Sequence, residues 1–544
     1  MDTEVVAAQR KDWRRRITRS PEMVVVGMII VFFSLMVFLS SIQRSFFLIP
    51  FKSSKNTRDS EHRYLDPGKL TNDRFLSGLL SPNFSEQNCL GRYKSSMYRK
   101  PSPFPVSTYL IQRLREYEDY HKRCGPNSEL YQRSVEQLKS GRNVENSECK
   151  YVIWTKSNGL GNRMLSIVST FLYSLLTKRV ILLDLTEEME NLFCEPFPYS
   201  TWVLPPDFPI RDFQRFYKDS PESYTKMVEN KTISDDVDIS PESLPALVYL
   251  HAENVNMHLQ NHIFCDDDQR ILQKLNWMIL RSDSYFTAAL FLMPMYEKEL
   301  SQLFPVKESV FHHLGRYILQ PANPVWQIIE RFYKTYLYNA DEKIGIQIRI
   351  FPQAPVPFEK MYQRILECSE KEKLFPEVGP PNITNATSNP TKHTAIIVVS
   401  LFSEYFEKIK STYYENSTLT GEMVAVYQPS HEVHQKTHAQ FHNYKALAEM
   451  YLLSYCDKIV TSAGSTFGYV SHGLAGSMPW IIRPPSWMYP GNGPACIKSL
   501  SVEPCLHSPP IIECKGKDNV NDAEIPVPYI KHCEDSDSGL KIFG

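Results

Sequence analysis

One charged residue, Arg349, lies near the end of an otherwise uncharged and mostly apolar segment of the chain. The segment reads Ile344-Gly-Ile-Gln-Ile-Arg-Ile350, which is the pattern of a buried strand with Arg349 near its carboxyl end. A buried charge costs much free energy unless it is paired, so Arg349 needs an anionic partner. A guanidinium can bind a diphosphate through parallel hydrogen bonds and stabilise it as a leaving group. An internal carboxylate is the alternative partner, and both interpretations stay open at this point.

A glycine-bounded loop, Gly464-Ser-Thr-Phe-Gly468, follows a second apolar run and precedes a predicted helix. The backbone N–H groups and the positive dipole end of such a helix form a good site for phosphate. The loop is similar to the G-x-S-x-G elbow of hydrolases, but its middle residue is Thr466 rather than serine, which argues against a hydrolase. Simple N-capping of the helix is the structural alternative.

A similar turn, Gly159-Leu-Gly161, lies between an apolar run and another predicted helix. Met164 stands where the dinucleotide fingerprint has its third glycine, so a nicotinamide cofactor is not favoured. We predict that Asn162 and Arg163, at the start of the helix, face a sugar or a phosphate. The alternative is a turn that only lets the helix and the strand pack together.

Two acidic triplets, Asp236-Val-Asp238 and Asp266-Asp-Asp268, match the Asp-x-Asp pattern that can hold Mn²⁺ or Mg²⁺ against a sugar nucleotide. Neither triplet follows a clear apolar strand, and acidic triplets are usually solvated surface. We therefore predict no metal site and no cofactor. The net charge of −1 also gives no basic surface that would indicate a nucleic-acid partner.

These residues need a framework that brings the carboxyl ends of strands together. Strand and helix patterns alternate over residues 151–184 and again over residues 343–483, which predicts an α/β fold with mostly parallel sheets. The long segment between them predicts helices near 285–303 and 323–338. Two such blocks indicate two facing Rossmann-like domains, with the ligand in the cleft at the carboxyl ends of the strands.

The first 85 residues predict a membrane anchor and a stem. Residues 23–42 are apolar over about 30 Å of helix, the thickness of a bilayer core. Basic residues precede them, so the positive-inside rule places the tail, residues 1–22, in the cytosol. Residues 43–85 are polar and lack periodicity, as a stem would. We expect a single-pass type II protein of the Golgi membrane with a lumenal catalytic part; a core helix over 23–42 is the alternative.

Sequons and cysteines favour the same lumenal placement. Five Asn-x-Ser/Thr triplets follow the predicted span, and we expect glycosylation at Asn83, Asn230, Asn382, Asn385 and Asn416. All 11 cysteines also follow the span, so most should form disulfides in an oxidising compartment. The odd number leaves at least one thiol outside intramolecular pairs.

Several longer motifs occur in a fixed order along the chain: SNGLGNRM, LRSDSYF, GIQIRIF, GEMVAVYQPSHE and VTSAGSTFGYVSHGLAG. They resemble the plant cell-wall fucosyltransferase family, which includes xyloglucan fucosyltransferase, from about residue 85 to the C-terminus. The resemblance implies a GT-B-like fold and inverting, metal-independent transfer of fucose from GDP-fucose, typically to O2 of galactose. The expected parts are an acceptor-side domain (86–340), a GDP-sugar domain (341–500) and a C-terminal segment (501–544) that packs back across the cleft.

The resemblance also implies a set of donor-binding residues. Arg349 is expected on the diphosphate, and Glu432 is expected near the nucleotide. The predicted donor-binding residues are Gly345, Gln347, Arg349, Gln428, His431, Ser465, Thr466 and Phe467, together with Asn162 and Arg163.

Two carboxylates, Asp283 in RSDSYF and Asp535 in HCEDSDSG, resemble the family's candidates for the general base. Inversion in one displacement usually needs a base within about 3 Å of the acceptor hydroxyl. Each carboxylate can instead be structural, by orienting an arginine or capping a loop. With Arg349, they form the predicted catalytic set.

The acceptor is less constrained than the donor. Near Asp535 the chain reads HCEDSDSGLK, whereas the family pattern has a tryptophan in this segment, so acceptor packing should differ there. Galactose on xyloglucan is the first expectation. Arabinose on arabinogalactan protein and a catalytically inactive Golgi glycan-binding homologue are the alternatives, and a homodimer is left open.

Overall fold

Two parallel sheets organise the described part of the chain. The structure is a computed structural model that describes residues 73–234, 236–253, 261–379, 392–485, 493–510, 514 and 527–544. The strands, in chain order, are β1 (Tyr151–Thr155), β2 (Val180–Leu183), β3 (Leu247–Ala252), β4 (Trp277–Ser282), β5 (Glu342–Ile348), β6 (His393–Ser400), β7 (Met423–Tyr427), β8 (Lys458–Ser462), β9 (Trp480–Ile482), β10 (Cys496–Lys498), β11 (Ile530–Cys533) and β12 (Ser536–Ile542).

The α-helices alternate with these strands over most of the described chain. They are α1 (Leu90–Lys94), α2 (Thr108–Cys124), α3 (Glu129–Lys139), α4 (Leu160–Thr177), α5 (Tyr224–Glu229), α6 (Asp266–Leu272), α7 (Thr287–Phe291), α8 (Pro294–Leu303), α9 (Val310–Ile318), α10 (Asn323–Phe332), α11 (Phe358–Glu372), α12 (Ser403–Glu415), α13 (Gln440–Ser454) and α14 (Thr466–Ala475).

The first sheet has the strand order β2-β1-β4-β3 and is parallel throughout. Because β1 and β4 are neighbours, the turn after β1 and the residues after β4 meet at the same carboxyl edge. This edge carries the Gly159-Leu-Gly161 turn and Asp283.

The second sheet has the order β10-β9-β8-β5-β6-β7, and only the edge strand β10 runs antiparallel. Arg349 follows β5, and the loop that starts at Ala463 follows its neighbour β8. The two sheets confirm the predicted α/β class with parallel sheets.

Helices α4, α9, α13 and α14 pack on one another and share one apolar core with strands of both sheets. Helix α4 is buried along almost its whole length, because its sequence is apolar on nearly every face. The starts of α4 and α14 are therefore held in fixed positions by buried side chains.

Disulfides account for 10 of the cysteines, as the oxidising-compartment argument predicted. The pairs are Cys89–Cys194, Cys124–Cys149, Cys265–Cys514, Cys368–Cys496 and Cys505–Cys533. The remaining thiol, Cys456, is buried, and burial raises its pKa to about 12. It is therefore an uncharged packing residue at neutral pH.

The structure adds two strands to the sequence-based prediction. β3 and β4 lie in the segment for which only helices were predicted, and β4 is an inner strand of the first sheet. Helix α4 begins at Leu160, which places Asn162 and Arg163 in its first turn, and β5 ends at Ile348, so Arg349 is the first residue after the strand.

Several predictions fall outside the described residues or on their surface. The tail, the span over 23–42, most of the stem, Asn382 and Asn385 lie outside the described residues. The sequon residues Asn83, Asn230 and Asn416 are exposed. Within the described ranges, no helix is both long and apolar enough to cross a bilayer. The limits of the predicted domains stay predictions.

Candidate active site

A cavity of about 300 Å³ lies at the carboxyl edge of the second sheet and reaches the turn after β1. Its wall contains residues that follow a strand of the first sheet and residues that follow strands of the second sheet. The lining residues come from segments 158–162, 347–351, 399–401, 430–450 and 465–467. The cavity thus brings together the two glycine turns and the arginine that the sequence marked separately.

The starts of α4 and α14 face each other at this cavity. A Cβ atom on Gly161 would lie 2.9 Å from the backbone nitrogen of Phe467 and 2.7 Å from Oγ1 of Thr466. Only glycine allows this approach of two backbones. Gly159, the N-cap of α4, has no side chain that could cap the helix, and the side chain of Ser465, the N-cap of α14, makes no capping hydrogen bond. Two positive helix ends are therefore directed to one place, which suits an anion.

Arg349 adds a full positive charge to this place. Its backbone N–H donates to Oγ of Ser462 at 2.9 Å, which ties the residue to the neighbouring strand β8. Its guanidinium Nη2 donates to Oε1 of Gln435 at 2.7 Å and stands over the ring of Phe351. Among the described residues, no carboxylate lies within 4 Å of the guanidinium. Partial burial lowers the pKa of Arg349, but an arginine stays protonated at neutral pH.

Two amide side chains hold the walls in place. Gln347 is buried, and its Oε1 accepts the N–H of Ser462 at 3.2 Å. Asn162 links the two halves, because its Oδ1 accepts from Oγ1 of Thr466 at 3.0 Å while its Nδ2 donates to the backbone oxygen of Asp283. Both residues line the cavity.

Arg163 points away from the cavity, although it was predicted to face a ligand. It is buried, and its Nη1 lies 3.3 Å from Oε1 of Glu188. Its Nε donates to the backbone oxygen of Asn158 at 2.8 Å, which fixes the turn. The geometry gives Arg163 a supporting contact to the turn rather than a place in the wall.

Only some of the residues predicted from the QPSHE segment line the cavity. Glu432 lines the cavity and accepts from Nζ of Lys445 at 2.6 Å. Gln428 is buried and donates to the backbone oxygen of Ser400, and His431 packs its ring against Phe406. Neither of these two belongs to the cavity wall.

Gly345 has a packing contact instead of a cavity position. A Cβ there would lie 2.7 Å from Cδ2 of Leu453 and 2.9 Å from Sγ of Cys456. The glycine therefore allows helix α13 to approach strand β5. Ser465, Thr466 and Phe467 do line the cavity.

The two candidate bases lie beside the helix starts and outside the cavity wall. Oδ2 of Asp283 accepts from Nδ2 of Asn158 at 2.5 Å, and Oδ1 accepts from Oγ of Ser284. Oδ2 of Asp535 accepts the N–H of Gly464 at 2.9 Å and the Tyr469 hydroxyl at 2.6 Å. Each carboxylate therefore anchors one of the turns at the cavity.

The electrostatics keep Asp535 ionised. Burial by itself would raise the pKa of Asp535, but Lys541, His507 and the donated hydrogen bonds outweigh burial and lower the pKa. His507 lies 2.9 Å from the hydroxyl of Tyr469, and its own pKa is lowered by burial against the opposing effects of Asp535 and Asp283. A neutral imidazole therefore stands near both carboxylates.

Sequence reasoning missed Gln435, His507 and Glu449. Gln435 and His507 lie in irregular segments without a motif, so no local pattern could have found them. Glu449 is a buried carboxylate in an otherwise apolar stretch of α13, and this was a readable signal.

Metal-ligand groups are scarce in the described ranges. There, the close groups of at least three such side chains comprise Cys505, Cys533 and Asp535, and the two cysteines form a disulfide. The Asp266 triplet opens α6, where acidic side chains favour the helix dipole. What the cavity does supply is one guanidinium and two helix starts, which can together hold a diphosphate.

The chain is similar to plant fucosyltransferases over most of its length. The sequence profile of the family described as xyloglucan fucosyltransferase matches residues 51–515. A galactoside 2-alpha-L-fucosyltransferase of Pisum sativum is 46% identical over 478 residues, which cover 88% of this chain and 83% of the relative. One of Arabidopsis thaliana with the same name is 45% identical over 521 residues, 94% of this chain and 91% of the relative.

A solved structure is similar as well. It is a variant of Arabidopsis thaliana FUT1 in complex with GDP, 46% identical, with a TM-score of 0.78 over 86% of this chain and 100% of that one.

The close contact between the two helix starts gives a matched pair of substitutions. We expect Gly161→Ala to lower the free energy of unfolding by about 1–3 kcal/mol, because the new methyl meets backbone atoms that cannot rotate away. It should also weaken binding of inorganic pyrophosphate. In Gly159→Ala the methyl meets the amide nitrogen of Gln435 at 2.9 Å, which is the end of a flexible side chain, and Cγ2 of Thr437 at 3.9 Å, so the loss should stay within about 0.5 kcal/mol. Denaturant unfolding and calorimetry of both variants measure this, and equal losses would refute the role of the contact.

Proposed function

The chain belongs to the xyloglucan fucosyltransferase family and is a glycosyltransferase, and from this premise we propose that it transfers L-fucose from GDP-fucose to O2 of a galactose residue on a cell-wall polysaccharide. Xyloglucan is the acceptor that we propose first. The names of the pea and Arabidopsis relatives support the linkage, and GDP in the similar structure supports the donor.

The observation that carries the proposal is the meeting of three positive groups at one cavity. Arg349 and the starts of α4 and α14 line the same wall. A diphosphate leaving group gains negative charge as its bond to the sugar breaks, and fixed positive groups in a partly buried cavity stabilise that charge strongly. Arg349 has no carboxylate partner among the described residues, so its charge is available to a ligand.

The reaction is a single displacement. The acceptor O2 attacks C1 of fucose, the bond from C1 to the β-phosphate oxygen breaks, and the electron pair leaves with GDP. The O2 proton passes to a base, and the configuration at C1 inverts. The helix starts hold the phosphates, while Arg349 neutralises the oxygen that departs.

Asp283 and Asp535 are the candidates for the base. Both are buried and outside the cavity wall, so each would receive the proton through a water molecule or through a change of side-chain position. Their contacts with Asn158 and with Gly464 N–H give each of them a second role as a positioning residue for a helix start.

We also propose a Golgi location with a single type II membrane anchor and the catalytic part in the lumen. The apolar segment 23–42 and its basic flank support the anchor. Five disulfides support an oxidising compartment, and exposed Asn83, Asn230 and Asn416 are suitable for glycosylation.

A transfer assay tests the acceptor. The purified full-length chain is incubated with labelled GDP-fucose and either galactosylated xyloglucan or arabinogalactan protein, each without fucose. We expect label on xyloglucan in an α-1,2 linkage to galactose, as measured by linkage analysis of the product. If only arabinogalactan protein is labelled, the proposed acceptor is wrong and arabinogalactan protein takes its place. Binding of GDP without any transfer would indicate the inactive glycan-binding homologue.

Substitution of Arg349 tests the leaving-group role. We expect Arg349→Ala to lower kcat by about 100-fold or more while the protein stays folded, because one preorganised donor to a developing charge is typically worth that much. Arg349→Lys keeps the positive charge but loses the planar guanidinium, so its kcat should lie between that of the parent chain and that of Arg349→Ala. Arg331→Ala, at an exposed position of α10, is the matched control and should keep full activity. Unchanged turnover in Arg349→Ala would remove the assigned role.

Chelation tests the prediction that no metal takes part. We expect transfer to continue at an undiminished rate in EDTA, since Arg349 and two helix dipoles supply the positive charge that a divalent ion otherwise gives to a diphosphate. The measurement is the initial rate with EDTA and after added Mn²⁺ or Mg²⁺. A rate that EDTA abolishes and either metal restores would contradict this prediction.

A further inference from the structure

Two arginines share an interior cavity without an acidic partner for either of them. Arg316 on α9 is 9% exposed, and its Nη1 donates to Nε2 of His312 at 2.6 Å. Arg99 is half-buried, with Nη1 donating to Oγ of Ser95 at 2.9 Å and Nη2 donating to the backbone oxygen of Asp73. Among the described residues, no carboxylate lies within 4 Å of either guanidinium. Every acceptor of the two arginines is neutral, so their charges lack a counter-ion.

The histidine beside Arg316 does not balance its charge. Nδ1 of His312 lies 3.0 Å from the backbone oxygen of Gly473, so this nitrogen carries the proton and donates it. Nε2 is then the acceptor for Arg316 and for Oγ of Ser102, which is 2.9 Å away. Burial and the charge of Arg316 lower the pKa of His312, which keeps the ring neutral. The imidazole therefore adds no charge of either sign to the surroundings of Arg316.

The cavity that both arginines line has a volume of about 20 Å³. Lys100 lines it as well and pairs outside the arginine cluster with Asp457, 2.9 Å away. Tyr455, the residue after α13, is another part of the wall, and its buried hydroxyl has no hydrogen-bond partner among the described residues. A space of this size holds about one water molecule or one monatomic ion.

A second cavity of about 20 Å³ is lined by the same two arginines, but it also contains an acid. Asp73 lies in its wall, and the carboxylate of Asp73 accepts from Oγ of Ser77 at 3.1 Å. A carboxylate repels an anion, so the first cavity is the better place for a negative ion.

We propose that the cavity lined by Arg99, Arg316 and Tyr455 binds one chloride ion. An anion there neutralises charge that no protein group neutralises, and guanidinium N–H groups are strong donors to it. A water molecule would satisfy the Tyr455 hydroxyl and the unpartnered Oε1 of Gln320, yet it would leave both positive charges unbalanced. Phosphate and sulfate carry four oxygens around a central atom and need more room than this cavity offers. The proposal does not depend on the transfer reaction.

The protonation of Arg316 is consistent with an anion beside it. Burial and the neighbouring Arg99 lower the pKa of Arg316 to about 9. At neutral pH the guanidinium therefore stays charged, and the repulsion between the two arginines remains in the absence of an anion. An anion in the cavity favours the charged form of both groups, so it stabilises the folded chain to which it binds.

The position of the cavity indicates what the ion would do. The wall contains Ser95 and Arg99 from the start of the described chain, Arg316 on α9, Ser454 at the end of α13 and Ala475 at the end of α14. Helices α13 and α14 also contribute residues to the larger cavity at the edge of the second sheet. A bound anion would fasten the N-terminal segment to the helices that support this cavity, and its main effect should be on stability.

Thermal unfolding tests the site while chloride replaces gluconate at constant ionic strength, because gluconate is too large for the cavity. The full-length chain is compared with Arg316→Met, which removes one of the two charges, and with Arg331→Met at an exposed position of α10 as the matched control. We expect the Tm of the parent and the control to rise by about 1–2 °C when chloride exceeds its dissociation constant about tenfold. In Arg316→Met the Tm should not respond to chloride, since a single guanidinium can be solvated without a counter-ion.

Crystals soaked in bromide test the location, because bromide replaces chloride and has an anomalous X-ray signal. We expect an anomalous peak between the guanidinium groups of Arg99 and Arg316. The absence of this peak, a parent Tm that ignores chloride, or an equal chloride response in Arg316→Met overturns the proposal. A peak without any effect on Tm shows an adventitious ion only and overturns it too. If Arg316→Met does not fold, Arg99→Met takes its place, and an undiminished chloride response in that variant has the same consequence.

Discussion

The contact between the starts of α4 and α14 is the constraint on which the site depends. A helix start binds an anion only weakly by itself when water competes, but two starts held against each other define one place with two sets of unpaired N–H groups. The contact requires Gly161, because a side chain there would meet the backbone of Thr466 and Phe467. It also requires that the helices cannot move apart, and the apolar core shared by α4, α9, α13 and α14 provides that rigidity.

The electrostatic design follows from this contact. A protein that placed Arg349 beside an internal acid would satisfy the arginine and lose it for binding. Here the guanidinium donates to the neutral amide of Gln435, which costs little to displace compared with a carboxylate. The acids at and near the cavity have other partners: Asp283 and Asp535 accept hydrogen bonds from the turns, and Glu432 in the cavity wall accepts from Lys445. The charge of Arg349 thereby stays available to a ligand in the cavity.

The C-terminal segment takes part in the site through support rather than through the cavity wall. Glu503 accepts the N–H of Phe311 at the start of α9 and the hydroxyl of Tyr285, and Asp535 accepts the N–H of Gly464. The Cys505–Cys533 disulfide closes this segment on itself. A segment that is distant in sequence therefore helps to set the position of α14.

The sequence by itself determined the α/β class, both glycine turns, the arginine near the end of β5 and the fact that most cysteines form disulfides, but not which cysteines pair. The fold class, the turns and the arginine depend on local patterns, namely apolar runs and glycines at helix starts, and the prediction of disulfides depends on the position of all 11 cysteines after the predicted span. It did not reveal β3 and β4, because their buried runs lie among aromatic residues and prolines that hide the strand period. The tertiary structure alone decided which residues face the cavity. Arg163 shares a motif with Asn162, yet only Asn162 lines the wall, because the side chain of Arg163 is held by Glu188 and the backbone of Asn158. Gly345 lies on the same face of β5 as Gln347 but further from the carboxyl edge, where it lets helix α13 approach the strand. It also brought in Gln435, His507 and Glu449, whose contacts join segments that no local pattern connects.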